Sequence, residues 1–326
     1  MEKQTEKKQV DRIIDRHIID VHRPLVSAVV VTYNSCETVI ETLDSIKAQT
    51  YENLELIISD DCSTDQTVLA CKDWVALNDA RFKKCTILTS QSNQGTSRNA
   101  NKAILASRGD WVKAIAGDDK LLDICIERNV EYVLNHSDVD FLFSRMEPFG
   151  SRESFTKVMK RFHYGFFLLS PRQQYLRLLI KNTAPAPSLF LRKKSFLDLG
   201  CYDESIPLME DWPFWLKTLQ NGYKLSFMNL VTVYYRVGNS LTTSGSYSPT
   251  YRQTMSVFSR LLNSCRLKEN VAYRAHYWCY EKRKNGNCLY LFILQAVNPI
   301  SWYYKYIFYR ESRFDKTLSY SIREGI

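Results

Sequence analysis

Three short polar clusters carry the residue types that could do chemistry: Thr32-Tyr33-Asn34, Asp60-Asp61 and Gly117-Asp118-Asp119. Adjacent carboxylates repel unless a cation lies with them. A hard ion such as Mg²⁺ takes one or two carboxylates and fills its other positions with phosphate oxygens and water. Asp118-Asp119 therefore suits a diphosphate ligand held with a metal; a plain turn is the competing reading, since Gly-Asp pairs form turns readily. Beyond Asp60-Asp61, Ser63 and Gln66 have the spacing of a capping box for a following helix. That spacing leaves both carboxylates unexplained, and Asp61 is placed to accept hydrogen bonds from a base or ribose. A further acidic pair, Glu210-Asp211, precedes Trp212-Pro213. Acids and proline favour a helix's first turn, and the same setting keeps a carboxylate ionised, as a general base must be.

What is missing narrows the chemistry. No Gly-x-Gly-x-x-Gly follows a strand-like run, and no Gly-x-x-x-x-Gly-Lys-[Ser/Thr] occurs, which argues against a dinucleotide enzyme and a P-loop kinase. A diphosphate bound without a glycine cradle needs a metal. The nine cysteines are odd in number and scattered, with no Cys-x-x-Cys pair and no histidine cluster. Neither a zinc site nor a secreted disulfide framework fits that pattern, and reduced thiols in a cytoplasmic protein do.

The elements that position these clusters alternate between β-rich runs and helical spacing. Strands are expected at Val26–Thr32, Leu54–Ser59, Cys85–Thr89, Trp111–Ile115, Val139–Phe143 and Ser188–Leu191. Helices are expected from Val39 to Ile46, around Val68–Val75, over Ser97–Ser107 with Gly109 as a left-handed stop, near Asp123–Asn135, and over Trp212–Asn221 with Gly222 as cap. The alternation implies an α/β fold with a mostly parallel sheet and helices on both faces. Ligands in such sheets sit beyond the carboxyl ends of the strands, where all three clusters fall. Residues 144–185 are less regular, and the chain beyond Tyr251 is helical, basic and aromatic.

The net charge of +9 divides unevenly. Residues 1–150 hold 18 Lys and Arg against 24 Asp and Glu, whereas 151–326 hold 26 against 11. An acidic first half suits a metal site; a basic second half suits anionic lipid or a phosphorylated acceptor. Nucleic acid is disfavoured, because no helix-turn-helix, zinc-finger or RNA-binding signature accompanies the charge. Met1–Val21 lacks the apolar core of a signal peptide, and no run reaches the roughly 20 apolar residues of a membrane span. From Val271 to Arg310, Trp and Tyr alternate with Lys and Arg, the composition of a membrane-surface segment or of a helical cap on the catalytic domain.

The clusters and their order resemble a family-2 glycosyltransferase of the GT-A fold. The matching residues are Val29–Asn34, Leu43–Ile46 with Gln49–Tyr51, Asp60–Asp65, Asn93–Asn99, Gly117–Asp119, Gly200–Glu204 and Glu210–Trp212, over about residues 25–225. The resemblance implies a GT-A domain over 24–240, with 24–145 binding the nucleotide sugar and 146–240 on the acceptor side. An N-terminal tail or helix (1–23) and a helical C-terminal region (241–326) flank it. By the same resemblance Thr32, Tyr33, Asn34 and Asp61 contact the base and ribose, Asp118 lies near the donor ribose or sugar, and Arg98 braces the donor. Asp119 holds Mg²⁺ or Mn²⁺ against the diphosphate, and Asp211 is the base of an inverting transfer. The chain departs from the family's usual Asp-x-Asp in carrying Gly117 where a further acid might stand. On the acceptor side Glu210, Trp212, Phe214, Trp215 and Thr183–Pro187 are expected to shape the site. The implied donor is a nucleotide sugar, with a UDP-sugar favoured. The implied acceptor is a saccharide or polyprenyl-diphosphate-linked saccharide at the inner face of a bacterial membrane, in polysaccharide or O-antigen assembly. A nucleotidyltransferase would share fold and metal but needs a glycine-rich basic loop near the first strand, which is absent. An inactive sugar-nucleotide-binding module is the reading from another class, and intact Asp61, Asp119 and Asp211 argue against it.

Overall fold

A computed structural model describes residues 23–150, 164–237, 249–269, 271–284, 298–303 and 305–306. The tail expected over 1–23 therefore lies outside the described residues except for Arg23, as do Tyr290, Phe292, Tyr304, Phe308, Tyr309 and Arg310 of the aromatic tail. The first half runs β1 (Val26–Thr32), α1 (Val39–Lys47), β2 (Leu54–Asp60), α2 (Thr67–Asn78), β3 (Cys85–Thr89), α3 (Thr96–Ala106), β4 (Trp111–Ala116), β5 (Lys120–Leu121) and α4 (Cys125–Asn135). Then follow β6 (Phe141–Gly150), α5 (Pro171–Leu178), β7 (Phe190–Arg192), α6 (Lys193–Asp198), α7 (Asp211–Gln220), β8 (Leu225–Val237), α8 (Pro249–Leu267) and α9 (Val271–Lys284).

One sheet collects all eight strands in the order β3-β2-β1-β4-β7-β6-β8-β5. The β3-β2-β1-β4 half is parallel. The short β7 joins it antiparallel to β6, which pairs in parallel with β8. Helices cover both faces, which is why β1 is apolar on both sides. Val26, Ala28 and Val30 share a core with Val39, Leu43 and Ile46 of α1, Trp74 of α2 and Val130 of α4. Val29 packs oppositely, with Ala103 of α3, Leu178 of α5 and Trp215 of α7. Each fully buried aliphatic side chain contributes about 1.5–3 kcal/mol, so the strand ends rest on a well-filled three-layer base.

Four expectations change. Gly109 is not a left-handed cap: α3 ends at Ser107 in extended backbone, and Gly109 has no positive φ. A Cβ there would meet Ser27 Oγ at 2.6 Å and Leu25 O at 2.7 Å, so close backbone approach explains this glycine. Ser63 and Gln66 make no capping box, because α2 begins only at Thr67, with Gln66 itself as the N-cap and no side-chain capping bond. Phe214 and Trp215 are fully buried in the core and offer no face to an acceptor. The strand expected to end at Phe143 continues to Gly150, held by its long pairing with β8. Gly222, by contrast, has φ +84° directly after α7, as a helix stop requires.

Candidate active site

The carboxyl ends of β1, β2 and β4 bring the first three clusters to one edge. Thr32 is buried and donates from Oγ1 to Asp60 Oδ2 at 3.0 Å. Asp60 also accepts from the Ser63 backbone N–H, and Ser63 Oγ receives the Asn34 N–H at 2.8 Å. Asn34 adopts φ +49°, and its Oδ1 accepts from Thr64 N at 2.9 Å. Thr32, Asn34 and Asp60 thus spend their polar atoms lacing the 33–36 and 61–65 loops together, while Tyr33 is 43% exposed and presents an open ring. Asp61 is buried. Its two oxygens accept from the Gln94 and Gly95 backbone N–H groups, at 2.7 Å from Gly95. A carboxylate has about four acceptor positions, so three such bonds leave one.

Gly95 links this side to the second half of the chain. At φ +87°, a Cβ on it would meet Pro207 O at 2.5 Å. Ser97 bonds to Ile206 O and Pro207 O, and Asn101 to Tyr202 O. Arg98 pairs with Glu204 at 2.7 Å, on the exposed rim. The 202–207 segment is thereby fixed on α3, only a few residues before Glu210-Asp211.

The turn Gly117-Asp118-Asp119 is held from two directions. From α1 and the residue before it, Thr38 Oγ1 donates to Gly117 O at 2.8 Å and Thr42 Oγ1 to Asp119 O at 2.7 Å. From β8, the Arg236 N–H donates to Asp119 Oδ1 at 2.8 Å and its Nε to Asp118 O at 2.7 Å. Asp119 is 2% exposed, and its Oδ2 accepts no hydrogen bond among the described residues. Burial pushes both carboxyls above the usual carboxylate range, and the Asp118 charge pushes Asp119 further. That donor set fits a hard divalent cation, which would relieve the repulsion. Gly117 is also explained, because a Cβ would sit 2.9 Å from Thr32 Cγ2 and 3.3 Å from Ser35. No acid fits at that position.

Asp211 opens α7, with Oδ1 accepting from the Trp212 N–H at 2.6 Å and Oδ2 from Asn182 Nδ2 at 2.7 Å. Trp212 uses its indole N–H on Leu178 O and tilts against Phe258. Glu210 is pushed up to about 7 by burial first and then by the Asp211 charge. The sign for stability follows. Between about pH 4.5 and 7 the folded chain holds a proton that the unfolded chain has lost, so stability falls as pH rises through that window. Glu210→Gln removes this effect. The variant should match the wild type at pH 4.5 and exceed it by about 1–3 kcal/mol at pH 8. Urea titrations at the two pH values would show it; a gap of equal size at both would contradict the coupling.

Sequence reasoning missed Arg236 and Asn182. Asn182 stands 29 residues from Asp211, and Arg236 stands 117 from Asp119. Only the strand pairing brings Arg236 to the turn, and a lone arginine ending an aromatic run gives no local signal.

A sheet whose parallel half carries an acidic turn at its carboxyl edge, with a further carboxylate opening α7, is the arrangement that the resemblance to a glycosyltransferase requires. The chain belongs to glycosyl transferase family 2, whose pattern matches residues 27–199, just over half its length. It is 25% identical over 232 residues to the UDP-Glc:α-D-GlcNAc-diphosphoundecaprenol β-1,3-glucosyltransferase WfaP of Escherichia coli, covering 71% of this chain and 84% of that one. TarS of S. aureus, residues 1–349 with UDP-GlcNAc, shares the fold at TM-score 0.60, with 19% identity and 92% of each chain covered. A mannosyltransferase of Pyrobaculum calidifontis, in complex with GDP-Man and Mn²⁺, matches at TM-score 0.51 and 17% identity over 86% of this chain and 72% of that one. The fold is therefore GT-A, and the chain is a glycosyltransferase.

Proposed function

We propose that the enzyme transfers a sugar, with inversion, from a nucleoside diphosphate donor to the hydroxyl of a lipid-linked saccharide in cell-surface polysaccharide synthesis. The observation that carries this reading is the buried Asp118-Asp119 turn, whose Asp119 Oδ2 has no hydrogen-bonding partner among the described residues. In this reading Asp61 and Tyr33 receive the nucleoside, Asp118 the ribose or sugar, and Asp119 a Mg²⁺ or Mn²⁺ ion. Such an ion supplies positive charge to the departing diphosphate. Asp211 takes the proton of the acceptor hydroxyl as its oxygen bonds to the anomeric carbon and the bond to the diphosphate oxygen breaks. Asn182 and the Trp212 N–H hold the Asp211 carboxylate in place during that step. The names of WfaP, a UDP-Glc enzyme acting on a diphosphoundecaprenol-linked sugar, and of UDP-GlcNAc-bound TarS support the donor and acceptor classes.

A thermal-shift series over UDP-, GDP- and dTDP-sugars, with Mn²⁺ or with EDTA, tests the reading, because a ligand of the folded state raises stability by mass action. One nucleotide sugar should raise the melting temperature with Mn²⁺ and fail with EDTA. No shift with any of them would sink the donor assignment.

The acceptor class places the enzyme at the inner face of a membrane, and the C-terminal region supports it. Among the described residues no helix is long and apolar enough to cross a bilayer. Along α9, Val271, Arg274, Ala275 and Trp278 form an exposed stripe at helical spacing, opposite buried His276 and Cys279. Trp302 and Tyr306 are about 60% exposed, with Lys305 Nζ 4.9 Å from the Trp302 ring centroid. Each cation near an anionic surface adds about 1 kcal/mol of attraction. Sedimentation with phosphatidylglycerol vesicles should capture the protein at low salt and release it at high salt, and Trp278→Ser with Trp302→Ser should weaken capture several-fold. Indifference to lipid charge would leave this region as a cap alone.

A further inference from the structure

We infer that Arg236, through its side chain, is a positioning residue for the acidic turn, fixing the Asp118 carbonyl and so the pose in which the adjacent Asp119 carboxylate faces the donor; the inference rests on the metal-dependent reading above. Its backbone N–H occupies Asp119 Oδ1, which leaves Oδ2 as the oxygen available to the donor side. Its Nε fixes the Asp118 carbonyl, so one residue grips both halves of the turn. That grip is itself supported. The guanidinium carbon lies 4.4 Å from the Phe149 ring centroid, and Nη2 is 3.1 Å from Glu41 Oε2. Lys120, the residue after the turn, completes the cluster, with Nζ 3.3 Å from the same Glu41 oxygen and 4.4 Å from the Phe149 ring centroid.

The topology explains why the device sits here. β5 pairs antiparallel with β8 as Lys120 with Tyr234 and Leu121 with Val233, so the chain leaving the turn is zipped to the strand that carries Arg236. β6 supplies Phe149, which is registered directly with Arg236 across the parallel β6–β8 pair. The register slips between Ser144 and Met146 set that alignment. A cation-π contact of this kind holds the guanidinium against the ring. Arginine is specified over lysine because only its planar fork can reach a carbonyl, a carboxylate and a ring face together.

Calorimetric titration of UDP in the presence of Mn²⁺ tests the inference without requiring turnover. Arg236→Ala should bind at least tenfold more weakly than wild type, and methylguanidinium should restore several-fold of that loss while methylammonium does not. Arg236→Lys, which keeps the charge but not the fork, should also be weakened. Wild-type affinity in Arg236→Ala, or a loss that methylguanidinium leaves unchanged, would overturn the positioning role. Should Arg236→Ala fail to fold, Phe149→Leu removes the stack and keeps the arginine. It should weaken UDP several-fold with the melting temperature nearly unchanged, and unaltered affinity would overturn the inference. If the wild type itself binds UDP equally well with Mn²⁺ and with EDTA, the metal reading fails and this inference falls with it. A failure of the Arg236 and Phe149 variants alone leaves that reading intact.

Discussion

Asp211→Asn is expected to lower the rate of sugar transfer by roughly a hundred- to ten-thousandfold, the usual loss when a general base is removed. Size is conserved, and the lone pair that takes the acceptor's proton is gone. The structure adds a smaller effect. Asp211 accepts on both oxygens, from the Trp212 N–H and from Asn182 Nδ2. An asparagine can accept on one side only, and Asn182 cannot turn its amide freely because its Oδ1 accepts from Ala184 N at 3.2 Å. One bond is lost, so stability should fall by about 1 kcal/mol. Donor affinity should stay within a few-fold of wild type. The three quantities separate the alternatives. A donor-binding role would weaken the nucleotide sugar, and a purely helix-starting role would lower stability while sparing turnover. Near-wild-type turnover would remove Asp211 as the base and turn attention to Glu210.

Asp119→Ala should abolish metal-dependent donor binding. The side chain is buried, with Oδ1 held by the Arg236 N–H and Oδ2 left for the donor side. Titrations of a UDP-sugar with Mn²⁺ should show at least a hundredfold loss in affinity, equivalent to about 2.7 kcal/mol. Unaltered Mn²⁺-dependent affinity in this variant would sink the metal assignment.

The parallel half of the fold and its polar strand ends could be read from the sequence because they are local. The valine run of β1, the apolar run of β4 and the acids at their ends lie within a few residues of one another. Gly117 was visible as a departure, but its cause, the approach of Thr32 and Ser35, is a tertiary contact. The same limit hid the true reason for Gly109 and the diversion of Ser63 from capping to the Asn34 loop. Phe214 and Trp215 misled because an aromatic next to a functional carboxylate looks the same in sequence whether it faces a ligand or the core. Arg236 was out of reach, since the β5–β8 pairing that delivers it joins segments more than a hundred residues apart. The roles of Tyr33, Asp61 and Asp118 toward a donor are proposals that the geometry accommodates, whereas Thr32 bonds to Asp60, Asn34 to Thr64 and Arg98 to Glu204.

The central claim is that the bond broken lies between the sugar and a nucleoside diphosphate. A donor labelled in both the sugar and the nucleotide, incubated with the protein, Mn²⁺ and a polyprenyl-diphosphate-linked saccharide, tests this most directly. The products would be separated into lipid and aqueous fractions. Sugar label should enter the lipid fraction in step with release of nucleoside diphosphate, with EDTA stopping both. An intact donor across the nucleotide-sugar series, or nucleotide label leaving as the monophosphate with the sugar carried off as its phosphate, would contradict the account.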